Sequence, residues 1–398
     1  MARKLLLLSI LTVVLLGVLS TAVVAQDEFV FGLILVGPST DRGWSQAHFE
    51  AAEYAVANVE GARMLMFESL NPADSPEATL LGVVSDMVAE GAQLIITTSD
   101  AFEEDTSAVA EQFPEVTFVN ITGSNVLEGA PANVSNYDAQ LEWGEMIVGC
   151  AAALTTETGQ IGYLGPLINA ETRRLAASAY LGAKHCYETY AGGNPDDLSF
   201  TVTWIGFWFN IPGVTLDPTE ETNSFYDNGA DVVISAIDTT EALTVAGLRA
   251  GNGEAVYASG YDYRGACEIA ADVCIGVPYY NWGPYYTRLM ESVSAGTWAQ
   301  AWEWEAPSWA DINDPDVSPM GFVKGSALSE EDAVSLDAFI AELAAFGTAE
   351  ENADRIFLFE GPLNYQDGSA FLAEGEFAEP LDIWFLPQLL EGMIGASE

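Results

Sequence analysis

The stretch that decides the fold is FVFGLILVGPSTDRGWSQAHFEAAEYAVA, Phe29 to Ala57. Its apolar run Phe31–Val36 suits a buried strand. Gly37, Pro38 and Ser39 break the pattern, and Thr40 and Asp41 supply helix-capping chemistry. From Trp44 onward, Phe49, Ala52, Tyr54, Ala55 and Val56 recur at helical spacing. The unit is strand, loop, helix, with Asp41, Arg42, Trp44 and Ser45 in the loop at the strand's carboxyl end. Open α/β sheets bind ligands at that edge, where helix N-termini present free N–H groups.

The same rhythm continues outward. Strands are expected at Ala62–Phe67, Leu94–Thr98 and Thr117–Ile121, alternating with helices at Glu77–Glu90 and Glu103–Phe113. After Asn133–Tyr137 it restarts: helix Leu141–Leu154, strand Ile161–Leu164, helix Glu171–Tyr190, strand Ser199–Ile205. Helix Pro218–Asn228, strand Val232–Ala236, helix Glu241–Ala250 and strand Ala255–Ser259 complete the second run. Strict β-α alternation predicts parallel sheets with right-handed crossovers. Two such α/β halves on a thin connection would leave a cleft for a small ligand. Past Gly260 the expected order is less regular: strand Val273–Val277, the loop Tyr279–Gly283, then helices ending near Ser294 and over Ser329–Phe346.

The chain has 398 residues, enough for two or three domains. Met1–Lys4 is positive, Leu5–Val24 is apolar, and Ala22-Val-Val-Ala25 offers small residues at a cleavage site, which reads as an export signal or a retained N-terminal anchor. No later stretch is apolar enough to span a bilayer. The expected domains are the signal over 1–25, one lobe from 26–137 plus about 279–300, and a second from 138–278 plus about 301–398. The protein is thus expected in the periplasm or on the outer face of the cytoplasmic membrane.

Fifty-nine acidic residues face twelve basic ones, a formal net charge of −47. That field repels nucleic acid and anionic membranes and disfavours anionic substrates. Four cysteines in an exported chain suit two disulfides. Cys267 and Cys274 close a short loop and are the first choice; Cys150 and Cys186, on two helices, are the second. None has Cys-x-x-Cys spacing, and His48 and His185 are the only histidines, so no metal or other cofactor is expected. Asp311-Ile-Asn-Asp-Pro-Asp316 crowds oxygen ligands as a calcium loop would, but a solvated turn is the commoner explanation.

The loops after successive strands carry Trp44, Phe102, Trp208, Asp238, Tyr261 with Asp262, and Trp282. If both sheets aim their carboxyl edges into one cleft, aromatic faces and carboxylates meet there. Flat rings bury a planar ligand and carboxylates accept its N–H groups or sugar hydroxyls. Core packing is the commoner role for any one of these aromatics; their recurrence at strand ends argues for a site. No Gly-x-Ser-x-Gly elbow, Walker A loop or complete Gly-x-Gly-x-x-Gly is present, and there are only three lysines. An enzyme is therefore not expected.

At these residues the chain resembles the basic membrane protein (BMP) family of bacterial substrate-binding proteins, which includes purine nucleoside receptors. The matching segments include Asp41-Arg-Gly-Trp44, Ile95-Ile-Thr-Thr-Ser99, Phe113–Phe118, Thr158–Tyr163, Asn228–Val232, Trp282–Tyr286 and Gly361–Gly368, in order across nearly the whole mature chain. The resemblance implies a two-lobed type I periplasmic binding protein, each lobe a doubly wound, mainly parallel sheet flanked by helices. It implies a monomer that captures a purine base or nucleoside and hands it to an ABC permease. It places Asp41, Trp44 and Ser45 in the first ligand loop, adds Phe102 and Thr122 on that lobe, and assigns Trp208, Asp238 and Tyr261 to loops closing over the ligand, with Trp282 near a lobe crossing. The chain departs from the pattern in an apparent insertion, Asn210–Leu216, and in Trp143, which stands where an acid is common. A sensory receptor of the same fold and an extracellular hydrolase are the alternative readings.

Overall fold

The computed structural model describes residues 28–398; the expected export segment, 1–25, lies outside the described residues. The first lobe is built on β1 (Phe29–Ile34), α1 (Trp44–Asn58), β2 (Ala62–Phe67), α2 (Leu80–Ala89), β3 (Leu94–Thr97), α3 (Glu103–Ala110), β4 (Thr117–Ile121) and β5 (Val134–Ala139). α4 (Glu142–Thr155), β6 (Gln160–Gly165), α5 (Ala170–Thr189), β7 (Ser199–Trp204), α6 (Pro218–Asp227), β8 (Val232–Ser235), α7 (Glu241–Gly251) and β9 (Tyr257–Ala258) form the second. There follow β10 (Gly276–Tyr280), α8 (Gly283–Ser294), β11 (Trp302–Glu305), β12 (Met320–Lys324), α9 (Glu330–Gly347), β13 (Leu363–Asn364), β14 (Ala370–Leu372), α10 (Pro380–Trp384) and β15 (Met393–Ile394).

Two parallel sheets result, a six-stranded one in the order β11-β5-β4-β3-β1-β2 and a five-stranded one in the order β15-β7-β6-β8-β9. β1 lies between β3 and β2, in register Phe31 with Leu94 and with Met64. The strand order reverses between β1 and β3 in the first sheet and between β6 and β8 in the second. The loops leaving those strands are where an open α/β sheet makes room for a ligand.

The chain passes between the sheets three times: after β5, between β9 and β11, and between β11 and β15. β11 was expected with the second lobe; it pairs instead with β5, Trp302 opposite Asn136, and extends the first sheet. The strand expected at Val273–Val277 starts at Gly276 and runs to Tyr280, because antiparallel pairing with β12 carries it through the presumed aromatic loop. β9 is shorter than the Ala255–Ser259 expected.

The Ala- and Gly-rich α4 packs backbone to backbone on α5. A Cβ on Gly149 would lie 1.9 Å from the Ala179 carbonyl oxygen, and one on Gly182 would lie 2.2 Å from that of Met146. The Cys150–Cys186 disulfide joins these two helices, and Cys267 pairs with Cys274.

Candidate functional site

The turns that leave the two switch points face one another across a small, tight cavity. The first lobe contributes Val36 and Trp44 after β1, Ser99 and Asp100 after β3, and Thr122 after β4; the second contributes Glu171 after β6, Trp208 after β7 and Asp238 after β8. Six strand ends of two sheets therefore deliver every wall.

Each wall is fixed by local bonding. The Trp44 indole N–H donates to the Thr98 carbonyl at 2.5 Å, tying the β1 loop to the end of β3. Behind it, Trp282 is fully buried, stacked on Tyr280 at 4.4 Å and on His48 at 4.6 Å, and Trp44 stands edge-on to all three. Burial pushes the His48 pKa well down, so the ring is neutral, and its Nδ1 lies 2.6 Å from the Tyr286 hydroxyl. Thr122 is held at φ 62°, a region that β-branched residues avoid, where its Oγ accepts the Asp100 N–H at 3.0 Å. Across the cavity the Asp238 N–H donates to the Trp208 carbonyl at 3.0 Å, which ties the loops after β7 and β8 together.

The lobes touch. The Asn169 amide, at the start of α5, donates to Asp100 Oδ2 at 3.3 Å while its Oδ1 caps the helix through the Thr172 N–H. No basic side chain lines the cavity, whereas three carboxylates do. Burial raises the pKa of Asp100. Burial pushes Glu171 up to about 8, against the opposing pull of Arg174. Asp238 is driven well above the usual carboxylate range by burial and then by Asp41, Glu171 and Asp100. Its Oδ1 is buried without a hydrogen-bond partner. The site thus offers carboxyl groups that accept hydrogen bonds when ionised and also donate one when protonated.

Of the residues singled out in the sequence, Trp44, Thr122, Trp208 and Asp238 meet in this cavity. Asp41 and Ser45 support it from outside. The Asp41 carboxylate accepts the Gly43, Ser45 and Gln46 N–H groups at 2.9 Å each, satisfying the start of α1, and the Ser45 hydroxyl accepts the Gly37 N–H. Phe102 and Tyr261 are buried beside the cavity without lining it, and Trp282 forms the layer behind Trp44. Ser99, Asp100 and Glu171 were missed; only their strand-end positions marked them. The Asp311–Asp316 loop is a turn: Asp311 and Asp314 accept N–H groups two residues on, and Asn313 Oδ1 takes the Tyr279 hydroxyl and the Phe322 N–H. Among the described residues no cluster of His, Cys, Asp or Glu could hold a metal ion.

Comparison with known proteins bears on this geometry. The model of the Bmp family, described as ABC transporter substrate-binding protein PnrA-like, matches residues 29–195. The chain is 28% identical to a purine-binding protein of Brucella abortus (strain 2308) over 355 residues, 89% of this chain and 90% of that one. It is 26% identical to a putative ABC transporter glucose-binding protein of Haloferax volcanii over 342 residues, 84% of this chain and 78% of that one. A solved ABC transporter solute-binding protein from Conexibacter woesei shares the fold, with a TM-score of 0.58 and 20% identity over 80% of this chain and 96% of its own. Each of these is named as a substrate- or solute-binding protein. Over residues 29–195 the chain is thus similar to the Bmp family of PnrA-like ABC transporter substrate-binding proteins, and its fold is the two-lobed type I periplasmic binding fold.

Proposed function

We propose that the protein captures a purine base or nucleoside outside the cytoplasmic membrane and delivers it to an ABC permease. The observation that carries the reading is the cavity itself: tryptophans from opposite lobes, Trp44 and Trp208, with three carboxylates and no basic side chain. Indole faces hold a flat ring, and carboxylates accept from ring and exocyclic N–H groups. The name of the Brucella relative points the same way.

The name of the Haloferax relative favours a second reading, a hexose, since carboxylates and aromatic faces also suit sugar hydroxyls. A thermal-shift screen separates the two, because a ligand that binds only the folded protein raises its melting temperature by mass action. Adenine and other purine bases should raise it and glucose should not. A shift with glucose alone would replace the purine reading with the sugar one.

A further inference from the structure

The carboxylates buried at and behind the cavity outnumber the cations that could neutralise them. Asp138, Glu142, Glu145, Glu171, Asp238 and Asp262 are all buried, and Arg174 is the one buried arginine or lysine among the described residues. Arg174 is already engaged: Nη2 donates to Asp138 at 2.9 Å and Nε to Glu142 at 2.6 Å. Both oxygens of Glu145, both of Asp262 and Oδ1 of Asp238 have no hydrogen-bond partner.

Closure worsens the imbalance at one place. Asp238 has Glu171 on α5 and Asp262 beyond β9 as neighbours in its own lobe. The first lobe then brings up Asp41 from the loop before α1 and Asp100 from the turn after β3. Glu171 in turn faces Asp100, Glu142 and Arg174. With the lobes apart, water solvates the carboxylates that face the cleft. Pressed together around a narrow cavity, like charges cannot all stay ionised, and neutralisation by a proton is the least costly relief.

We propose that lobe closure takes up a proton at the Glu171–Asp238 pair, so that the protein closes more readily as pH falls. The closed form binds more protons than the open one, so closure is favoured at lower pH by linkage. The inference goes beyond the ligand assignment, since it concerns the empty cleft and holds for any neutral guest.

Small-angle scattering of the ligand-free protein between pH 8 and 5 tests it without a ligand. The radius of gyration should contract as pH falls. In Asp238→Asn, where that one position is permanently uncharged, the half-way point should move up by about one pH unit. Glu171→Gln should act in the same direction, which keeps the test open if one variant fails to fold. Glu53→Gln, at an exposed position on α1, should leave the midpoint unchanged. A radius independent of pH, a midpoint identical in both cleft variants and wild type, or contraction that follows sodium concentration at fixed pH would overturn the proposal.

Discussion

Gly43 of the first lobe meets the backbone of Asp238 in the second: a Cβ on Gly43 would lie 2.0 Å from the Asp238 carbonyl oxygen and 2.7 Å from its carbonyl carbon. The φ of Gly43 is −145°, so the restriction is steric rather than conformational. The contact exists only when the lobes are closed over the cavity. Gly43→Ala should therefore leave each lobe folded but hold the cleft ajar. We expect unchanged melting of the ligand-free protein and at least about tenfold weaker solute binding by calorimetry, a loss of about 1.4 kcal/mol. Full affinity in that variant would mean the bound form does not make this contact.

Trp44 and Trp282 should separate binding from stability. Trp44 lines the cavity, so Trp44→Ala should lose about 1–3 kcal/mol of affinity for a stacked base, roughly fivefold to 150-fold. Trp282 is fully buried behind it, and Trp282→Ala should cost about 3–5 kcal/mol of folding stability by denaturant titration. If Trp44→Ala leaves purine binding intact, another surface carries the ring.

The sequence made the β1–α1 unit legible because an apolar run, a broken loop and a capping residue point to one local structure. Trp44, Trp208 and Asp238 followed from topology, since strand-end loops of parallel sheets converge. Asp100 and Glu171 were hidden by abundance. Among 59 acidic residues, nothing local tells a buried carboxylate from a solvated one. β5 escaped for a related reason: VSNYDA is buried throughout although half of it is polar, because its Asn136 and Asp138 side chains bond inside the fold. β11 pairs with β5 across more than 160 residues, a relationship no local pattern carries.

Arg174 should be the costliest single loss near the hinge. It comes from α5, bonds Asp138 on β5 and Glu142 on α4, and lies 4.1 Å from the Trp384 ring. Arg174→Met keeps the bulk but leaves two buried carboxylates unpaired, which should cost about 3–5 kcal/mol. The double variant with Glu142→Gln should recover part of that loss in chemical denaturation. A single variant as stable as the parent would show that Asp138 and Glu142 are already neutral.

Stability should fall as pH rises, the reverse of a protein held together by surface ion pairs. Burial pushes Glu171 up to about 8 in the folded chain, whereas its unfolded value is near 4.5. Asp238 and Asp262 are shifted the same way, by burial first and by each other's neighbours next. Between those limits the native state binds more protons than the unfolded one, so the unfolding free energy decreases with pH. The contribution is complete below about pH 4.5 and is lost as pH climbs through 8. Melting temperatures of the ligand-free protein should be higher at pH 5.5 than at pH 8.5, and Glu171→Gln should flatten the dependence by removing one titrating group. A wild-type melting temperature that rises over this range would show that these carboxylates are ionised in the fold and stabilised there by a counter-charge.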